Sequence, residues 1–339
     1  MKILVFEYLC GGGMAGQELS ASLLAEGGMM LQALAYELSP LPLVQMRIPL
    51  EPRCRRISLP ANAETIPIGE SVDAMEILPA LMADCDAVWP IAPETGGILQ
   101  RIAERANAAN KRLILSAPET IALCADKFAT YRVLQGRQIP CVPSELLSTV
   151  AKPVLPCVIK PIDGAGCQGN IIVRTREEFD LALNSTENPA RFIVQPLLEG
   201  RAVSVSALFN QGRTEYLCCN RQQIRIENQG FELTGCQVNV QSPYRDFCRE
   251  LLQRIAAALP ELHGYIGIDL IETGQHGPLL LEINPRLTTS YVGIQPATGI
   301  NVAEAVLGLR HSGNRQNPQV GRETRYNRTI DVRIVKHPA

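Results

Sequence analysis

A short alternating segment near the C-terminal end constrains the fold of this chain more than any other feature. From Leu281 to Asn284, apolar and polar residues alternate, so in a strand Glu282 and Asn284 point to the same face. A second apolar run, which carries Asp269, precedes this segment. If the two runs pair as a hairpin across a turn at 273–277, Asp269 lies beside the other two polar residues. The segment therefore predicts two paired strands with one polar and one apolar face.

The predicted polar face has the chemistry of a divalent-metal site. Two carboxylates about 4 Å apart repel each other by roughly 4 kcal/mol at an effective dielectric constant near 20. Asp269 and Glu282 are therefore expected to require a compensating cation. Because these two residues and Asn284 offer oxygen ligands only, the expected ion is a hard one, Mg2+ or Mn2+.

The composition limits the class of protein. A chain of 339 residues with 46% hydrophobic residues can bury large cores and is expected to form two or three domains. The formal net charge of -2 and the lack of a long basic run argue against a nucleic acid or an anionic membrane as partner. Eleven cysteines without a CxxC pair favour neither a zinc framework nor a disulfide scaffold.

The apolar segments predict a cytoplasmic location. The apolar run within residues 1–7 is too short for a signal peptide. No later segment contains 18 consecutive apolar residues, which a membrane-spanning helix would need. We therefore expect a cytoplasmic protein.

The first third of the chain alternates between strands and helices. Residues 2–8 are predicted as a buried strand, and 19–38 have the apolar spacing of a helix. This alternation is typical of a parallel, doubly wound sheet, which we expect over about 1–115. The other elements predicted there are strands at 86–91 and 112–115 and a helix at 96–109.

The rest of the chain is richer in strands. Runs of strands with segregated helices indicate an α+β unit that is distinct from the opening α/β domain. The polar stretch 310–327 lacks apolar periodicity and is predicted to be mobile. The elements predicted here are strands at 157–160, 170–174, 192–195, 202–209, 214–219, 223–227, 231–240, 265–272 and 278–284, with a helix around Lys127 and another at 244–258.

A lysine followed by a glycine-rich loop is a candidate phosphate site. Lys160 ends a predicted strand, and the next residues include Gly164, Gly166 and Gly169. Glycines allow backbone N–H groups to approach phosphate oxygens closely, and a lysine supplies positive charge to the same oxygens. An ordinary hairpin turn explains these residues equally well. The loop is not a Walker A motif, since no Gly-Lys-Ser/Thr follows.

Two further features gain weight from their position around that loop. Lys127 on its own is typical of an exposed helix face. The segment 192–200 is predicted as a strand that leaves its sheet through Pro196, which frees backbone groups to bind a ligand. Gln195 and Leu198 can hold an adenine edge, although a plain linker between two lobes would have the same sequence character.

The order of these features resembles the ATP-grasp superfamily. Two spaced lysines, a glycine-rich loop, an extended linker, an acid and then Glu-Ile-Asn-Pro-Arg at 282–286 follow one another over about 116–310. The preceding part is similar to the α/β domain found before the grasp in carboxylate-amine ligases. The resemblance implies an α/β and α+β protein, an ATP-grasp fold with an N-terminal parallel α/β (pre-ATP-grasp) domain. The implied domains are the N-terminal α/β domain at 1–115, the small lobe or nucleotide lid at 116–198, and the large lobe with the metal site at 199–339.

The resemblance also implies a role for each candidate residue. Arg286 would face either the transferred phosphoryl group or a substrate carboxylate, and Lys160 would assist it. Many relatives carry a ribose-binding glutamate where Ala202 stands. The ribose contact would then come from elsewhere, with Glu199 as a candidate, or the nucleotide would be held less tightly. The implied ATP-binding residues are Lys127, Lys160, Gly164, Gly166, Gly169, Gln195, Leu198 and Glu199, and the implied Mg2+ or Mn2+ ligands are Asp269, Glu282 and Asn284.

The activity implied by the resemblance is ATP-dependent amide formation. A small-molecule carboxylate would be activated as an acyl phosphate and attacked by a small-molecule amine, with release of ADP and phosphate, and enzymes of this class are often homodimers. The segments 6–13 and 24–30 look like the subgroup that includes tyramine-glutamate ligases of methanofuran-type one-carbon cofactor biosynthesis. Glu7 and Glu26 could receive an amine there, whereas lone acids of this kind are more often solvated.

Three alternative functions are compatible with the same residues. A kinase would transfer the phosphoryl group to a small molecule and stop there. A non-catalytic nucleotide sensor is less compatible with a complete set of metal ligands, because a simple binder has little need of them. A metalloenzyme that does not use ATP is the third alternative.

Overall fold

The computed structural model describes residues 1–309 and 326–334. The stretch predicted to be mobile, 310–327, therefore lies outside the described residues except for its last two.

The N-terminal sheet is buried on both sides. The first five strands are β1 (Lys2–Glu7), β2 (Gln45–Leu50), β3 (Ala63–Pro67), β4 (Ala87–Ile91) and β5 (Arg112–Leu113). They are all parallel, in the order β3-β2-β1-β4-β5. Because side chains alternate along β1, Ile3 packs in one core and Leu4 in another.

Helices cover both faces of this sheet. The helix α1 (Ala21–Leu38) packs on the face to which Ile3 points, while α2 (Ala74–Ala83) and α3 (Ile98–Ala108) pack on the other. The predicted parallel, doubly wound arrangement is therefore confirmed. The sequence did not reveal β2, β3 or α2, because β3 is mostly exposed and prolines interrupt the apolar patterns of β2 and α2.

A small antiparallel sheet forms the middle of the chain. Its order is β6-β9-β7-β8, so the strand that ends with Lys160-Pro161 lies in its interior. The elements are α4 (Pro118–Ala125), α5 (Lys127–Gly136), β6 (Glu145–Leu146), β7 (Cys157–Pro161), β8 (Ile171–Val173), α6 (Arg176–Ser185) and β9 (Phe192–Pro196).

A six-stranded antiparallel sheet forms the last part of the chain. The elements are β10 (Arg201–Asn210), β11 (Arg213–Glu227), β12 (Gly230–Val238), α7 (Arg245–Ala258), β13 (Gly264–Thr273), β14 (Gly277–Asn284), α8 (Tyr291–Thr298), α9 (Val302–Leu307) and β15 (Ile330–Arg333). The strand order is β14-β13-β10-β11-β12-β15. The strands predicted at 214–219 and 223–227 are one strand, β11, with an irregularity between Gln223 and Ile224. Polar residues at 220–223 interrupt the apolar pattern in sequence but not the pairing in the sheet.

None of the helices within residues 1–309 and 326–334 has the length and apolar character that crossing a membrane requires. All eleven cysteines lie in that part of the chain and are free thiols. The neighbours Cys218 and Cys219 point into two different cores, as expected for consecutive residues of a strand.

The N-terminal domain and the large sheet share a core in which a glutamate is buried. Helix α1 packs against α8 and α9, and Glu37 of α1 is only 2% exposed. Its carboxylate accepts hydrogen bonds from the Tyr291 hydroxyl at 2.9 Å and from the Ala303 N–H at 2.8 Å. Burial outweighs these hydrogen bonds and raises the pKa of Glu37 from 4.5 to about 7. The interface is therefore sensitive to ionisation of this side chain.

The raised pKa of Glu37 predicts a pH-dependent stability. Because the pKa of Glu37 is higher in the folded than in the unfolded state, its protonated carboxyl group stabilises the fold. This contribution is complete below about pH 4.5 and is lost as the pH rises through about 7. At about 1.4 kcal/mol for each pH unit, the wild type should lose roughly 2–3 kcal/mol relative to Glu37→Gln between pH 5 and pH 8. Urea unfolding at a series of pH values measures this difference. The exposed residue Glu304 supplies a control, and a Glu304→Gln variant that shows the same pH effect would contradict the assignment.

Candidate active site

The predicted metal face is present on the β13–β14 hairpin. Asp269 stands directly across from Glu282 in the antiparallel ladder, and Asn284 is two residues further along the same face. The alternate residues Ile268 and Ile283 point the other way, into the core beneath the sheet. The hairpin that was predicted from alternation is therefore confirmed, with its polar side chains together.

These polar side chains hold one another in place. The Asn284 amide donates to Asp269 Oδ2 at 3.2 Å, and the Gln222 amide from β11 donates to Asp269 Oδ1 at 3.0 Å. Burial and the charge of Glu282 raise the pKa of Asp269 well above its usual value. Burial also raises the pKa of Glu282. Lys127, the hydrogen bond with Asp269, and Lys160 outweigh burial and lower this pKa to about 2.

The donor set fits a hard divalent cation. Two facing, partly buried carboxylates ionise together only with a compensating positive charge, and a bound cation would supply that charge. The ligands would be the Asp269 and Glu282 carboxylates and the Asn284 carboxamide, all of them oxygens. In the part of the chain that the structure describes, no three His, Cys, Asp or Glu side chains are grouped to hold a metal, so the site would depend on the amide of Asn284.

Two lysines face the same carboxylates. Lys127 is the first residue of α5, where Asp126 caps the helix, and its Nζ lies 3.2 Å from Glu282 Oε2. Lys127 also donates to the carbonyl oxygen of Gly164. Lys160, near the end of β7, makes no ion pair within the described residues. Burial lowers the pKa of Lys160 against the opposing charge of Glu282, so its ammonium is a desolvated cation available to an anionic ligand.

The glycine-rich loop at 163–169 covers these lysines. Gly164 and Gly166 line the cavity described below, and a Cβ at Gly166 would meet open space. Gly169 does not line it. With a φ of +71° and Pro161 only 2.9 Å from where its Cβ would be, Gly169 instead allows the chain to turn back into β8. Of the three predicted glycines, two are therefore placed to meet a phosphate, and the third has a structural role.

The residues that were predicted to hold adenine lie at one end of the cavity. Gln195 is 4% exposed, and its amide nitrogen donates to the Ser144 hydroxyl at 2.8 Å. Gln195 lines the cavity with Leu198, and its Oε1 is buried without a hydrogen-bond partner. An unpaired buried acceptor at this position suits a ligand with an N–H donor, such as the amino group of adenine. The structure thus offers an acceptor from the side chain of Gln195, where a backbone contact was expected.

The candidate ribose contact is not placed with the others. Glu199 is exposed and is not among the residues that line the cavity, so the structure gives no support to its predicted role. Ala202 and Ser204, which lie on the same face of β10, do line the cavity. A side chain as short as Ala202 offers no oxygen to a ribose hydroxyl.

One continuous cavity of about 520 Å3 joins these groups, a volume typical of small-molecule sites. Its lining includes Gln195 and Leu198, the two lysines, the metal face and a further set of polar residues that we call the polar end. Residues at the polar end include Glu26, Arg286, Thr288, Thr289 and Ser290. The cavity therefore has room for a nucleotide and for something else next to its phosphates.

Arg286 lines the cavity but is already paired with a residue that the sequence analysis missed. Glu94 is 6% exposed and accepts from Arg286 Nε at 2.9 Å and from Arg286 Nη2 at 2.8 Å. Glu94 follows β4 at the carboxyl edge of the parallel sheet, where ligands of α/β proteins commonly bind, and that rule could have singled it out. The pair fixes the plane of the guanidinium group, so Arg286 meets a ligand in one orientation.

The turn after Glu94 also contacts the glycine-rich loop. The Gly96 N–H donates to the carboxylate of Asp163 at 2.9 Å, and Arg191 forms an ion pair with the same carboxylate at 2.9 Å. Gly96 and Gly97 both have positive φ angles, which a larger residue would rarely adopt. This tight turn therefore connects the N-terminal domain to both lobes that enclose the cavity.

Of the two acids that were considered for amine binding, Glu26 lines the cavity and Glu7 does not. Glu26 of α1 lines the polar end of the cavity, where its carboxylate accepts from the Thr289 hydroxyl. Glu7 is 4% exposed, does not line the cavity and accepts from the Cys10 N–H at 2.6 Å. A Cβ at Gly27 would lie 2.7 Å from Glu7 Oε1, so the glycine leaves space for this buried acid. Glu26 can meet a ligand, whereas Glu7 belongs to the core.

Two family models match consecutive parts of the chain. Residues 124–290 match the family described as the ATP-grasp domain, and residues 45–121 match the pre ATP-grasp 3 domain. The chain belongs to the ATP-grasp superfamily. Its fold is the ATP-grasp fold, preceded by a parallel α/β domain. ATP-grasp enzymes bind ATP.

Individual relatives show how much of the chain is shared. It is 25% identical over 316 residues to the tyramine–L-glutamate ligase of Methanocaldococcus jannaschii, covering 93% of this chain and 90% of that protein. A crystal structure of an ATP-grasp superfamily protein from Archaeoglobus fulgidus aligns with a TM-score of 0.71 at 22% identity, over 98% of this chain and 92% of that one. The L-amino acid ligase of Bacillus licheniformis aligns with a TM-score of 0.65 at 18% identity, over 90% and 72%. The two structures support the same fold.

The Glu94–Arg286 pair predicts a loss of stability in a charge-removing variant of this ATP-grasp protein. Glu94→Gln leaves a buried guanidinium without its counter-charge, and the free energy of unfolding should fall by about 2 kcal/mol, somewhat less than for complete loss of a buried partner because the amide still accepts a hydrogen bond. The double variant Glu94→Gln/Arg286→Gln should recover part of the loss, since neither charge is then buried alone. Urea unfolding of the two variants measures both effects, and a Glu94→Gln variant as stable as the wild type would refute the role of the pair.

The unpaired ammonium of Lys160 predicts a change in nucleotide affinity. Lys160→Met keeps the apolar stem and removes the charge, so ATP should bind about ten- to a hundredfold more weakly, as expected for loss of a charged hydrogen bond. Isothermal titration calorimetry with ATP and Mg2+ measures the affinity. Lys152→Met, which removes an exposed lysine in the same lobe, is the matched control. Equal ATP affinities for the two variants would argue against a phosphate contact at Lys160.

Proposed function

We propose that the chain is an ATP-dependent carboxylate-amine ligase that forms an amide through an acyl phosphate and releases ADP and phosphate. The observation that carries this proposal is the continuity of the cavity. Its lining combines the candidate adenine contacts, two lysines and a partly buried pair of carboxylates with the polar end that contains Arg286 and Glu26. A nucleotide-binding protein without a second substrate would have no use for that polar end.

The residues around the phosphates would act by positioning and by charge. Lys127 and Lys160 would bind phosphate oxygens, while the backbone at Gly164 and Gly166 would close over them. A magnesium ion bound by Asp269, Glu282 and Asn284 would supply Lewis acidity to the phosphate that is transferred. Lys127 would at the same time neutralise Glu282, to which it is already paired.

The chemistry would proceed in two displacements. In the first, an oxygen of the substrate carboxylate attacks the γ-phosphorus of ATP, and the bond from that phosphorus to the bridging oxygen breaks to release ADP. In the second, the amine nitrogen attacks the acyl carbon, phosphate leaves with the electrons of the carbon–oxygen bond, and the nitrogen loses a proton. Arg286, held by Glu94, would orient the carboxylate and stabilise the developing negative charge.

The similarity to tyramine–L-glutamate ligase suggests where to look for substrates. The match extends over 93% of this chain, so it includes the N-terminal domain that contributes Glu26 and Glu94 as well as the ATP-grasp domain. We therefore propose an amino acid as the carboxylate substrate, with L-glutamate the first to test, and tyramine as the first amine.

An ADP-release screen over paired carboxylates and amines tests the function. ADP should form only when both partners are present, and mass spectrometry should identify an amide. ADP formation without the amine, together with a stable phosphorylated product, would make the protein a kinase. Tight binding of ATP with no ADP release for any pair would make it a nucleotide sensor. A melting temperature unchanged by ATP and Mg2+ would remove ATP from the function altogether.

The metal assignment predicts a severe loss of turnover in Glu282→Gln. This change keeps the size of the side chain but removes a negative ligand from the cation, so ADP release should fall by at least a hundredfold. Glu177→Gln, the same change at an exposed position of α6, should leave ADP release unaltered. A thermal melt shows whether both variants are folded. Undiminished ADP release by folded Glu282→Gln would exclude Glu282 as a ligand.

A further inference from the structure

The hairpin formed by β11 and β12 has two chemically different faces near its tip. On one face, Arg225 forms an ion pair at 2.6 Å with Glu232, the residue directly across from it. The opposite face, which we name the apolar hairpin face, carries two cross-strand pairs: Ile224 with Leu233, and Ile226 with Phe231. Strand alternation therefore separates a charged surface from an apolar one.

The apolar hairpin face is not part of a core. None of its four side chains belongs to a hydrophobic cluster of the described residues, and Ile226 is 55% exposed. All four side chains line the cavity of the active site. Apolar side chains that line a binding cavity and belong to no hydrophobic cluster of the described chain indicate that a ligand packs against them.

This face begins at the metal site and reaches the small lobe. Gln222, which donates to Asp269, and Cys236, which stands across from it, are the next cavity-lining pair of the hairpin after Ile224 and Leu233. At the other end, the carbonyl oxygen of Gln229 accepts from the N–H of Ile172 in β8 at 2.6 Å. The hairpin thus forms a side wall of the cavity from the catalytic face to the lid.

The nucleotide does not account for this wall. The candidate adenine contacts, Gln195 and Leu198, lie on and just after β9 of the small sheet, whereas the hairpin belongs to the large sheet. The phosphates would occupy the region of the two lysines and the glycine-rich loop, and charged phosphate oxygens gain nothing from an apolar surface. A further molecule with an apolar surface is therefore needed to fill the space beside the hairpin.

Glu26 lines the same cavity as the apolar hairpin face. Apart from Asp269 and Glu282, the lining carboxylate among the described residues is that of Glu26. Glu26 accepts from the Thr289 hydroxyl, Thr289 precedes α8, and α8 packs against β12 in the core that holds Cys236. A positively charged group held by Glu26 would therefore be near the catalytic face and near the base of the apolar hairpin face.

We propose that the apolar hairpin face and Glu26 together form the binding site for the amine substrate, and that this substrate is a primary amine with an apolar, aromatic-sized body. The inference rests on the proposed ligase function and names its second substrate by class. The ammonium group binds Glu26, and the body packs along Leu233, Ile224 and the residues beyond them. From Cys236 to Phe231 a strand rises roughly 16 Å, which accommodates an aromatic ring and its linker.

Direct binding tests the proposal without requiring turnover. Phenethylamine is titrated by calorimetry into the wild-type protein in the presence of Mg2+ and a non-hydrolysable ATP analogue, with methylamine as the comparison. We expect phenethylamine to bind at least tenfold more tightly than methylamine. In Ile226→Gln and Leu233→Gln this preference should fall by tenfold or more. Leu181→Gln, which changes an apolar residue that is 71% exposed outside the cavity, should keep the wild-type preference.

A second variant pair examines the acid. Glu26→Gln should weaken binding of phenethylamine at least tenfold and should leave binding of the uncharged analogue 2-phenylethanol unchanged. Glu18→Gln, at an exposed position near the start of the same helix, should alter neither affinity. If Glu26→Gln weakens the binding of phenethylamine and of 2-phenylethanol equally, the residue supports the fold of the site and does not receive an ammonium group.

The outcomes separate this inference from the function on which it rests. Acyl phosphate formation is measured on its own by trapping with hydroxylamine, with L-glutamate and ATP but no other amine. Hairpin variants that retain hydroxamate formation and lose the preference for phenethylamine would support the inference. Unaltered preference in both hairpin variants, or a wild type that binds methylamine or ethanolamine better than phenethylamine, would overturn the inference and leave the ligase function standing. Absence of hydroxamate and of ADP with every carboxylate would overturn the ligase function.

Discussion

Glu94 and Arg286 are 192 residues apart in the chain and form a buried, two-pronged ion pair. This contact joins the carboxyl edge of the N-terminal parallel sheet to the end of the hairpin that carries Asp269, Glu282 and Asn284. The turn beyond Glu94 donates a hydrogen bond to Asp163 and so connects the glycine-rich loop as well. The cavity is therefore bounded by three parts of the chain whose relative positions depend on one short segment.

The site concentrates charges that water would otherwise screen. Asp269 and Glu282 face each other, Lys127 neutralises only one of them, and Lys160 is desolvated without a partner among the described residues. Each of these groups would be more stable in water or in a complete ion pair. Bound Mg2+ and phosphate would complete the pairing, which explains how a stable fold can maintain so many buried charges. The stability of the ligand-free protein is reduced in exchange for a site that is already organised.

Much of this site could be predicted from local sequence because its signals are local. Strand alternation placed Glu282, Asn284 and Asp269 on one face, and the structure has them there. Glu94 and the apolar hairpin face were not predicted, because their roles depend on contacts between distant segments. The pattern of β11 was misread as two strands since its cavity-facing polar residues look like a loop in sequence. The prediction of Glu199 as a ribose contact gains no support from the structure, because its side chain is exposed and lies outside the cavity lining, which sequence alone does not reveal.

The contacts of the 94–97 turn bear on the use of this chain as a set of exchangeable modules. An ATP-grasp domain transplanted onto a different N-terminal domain would keep every residue of its metal face and still lose the carboxylate that orients Arg286. Recombination between relatives would have to transfer Glu94 and Gly96 together with the residues that they contact, which are Arg286 and Asp163. A chimera joined in the linker between the domains would be expected to bind nucleotide and yet present its arginine in the wrong orientation. The functional unit of the protein is therefore larger than the domain that carries its metal ligands.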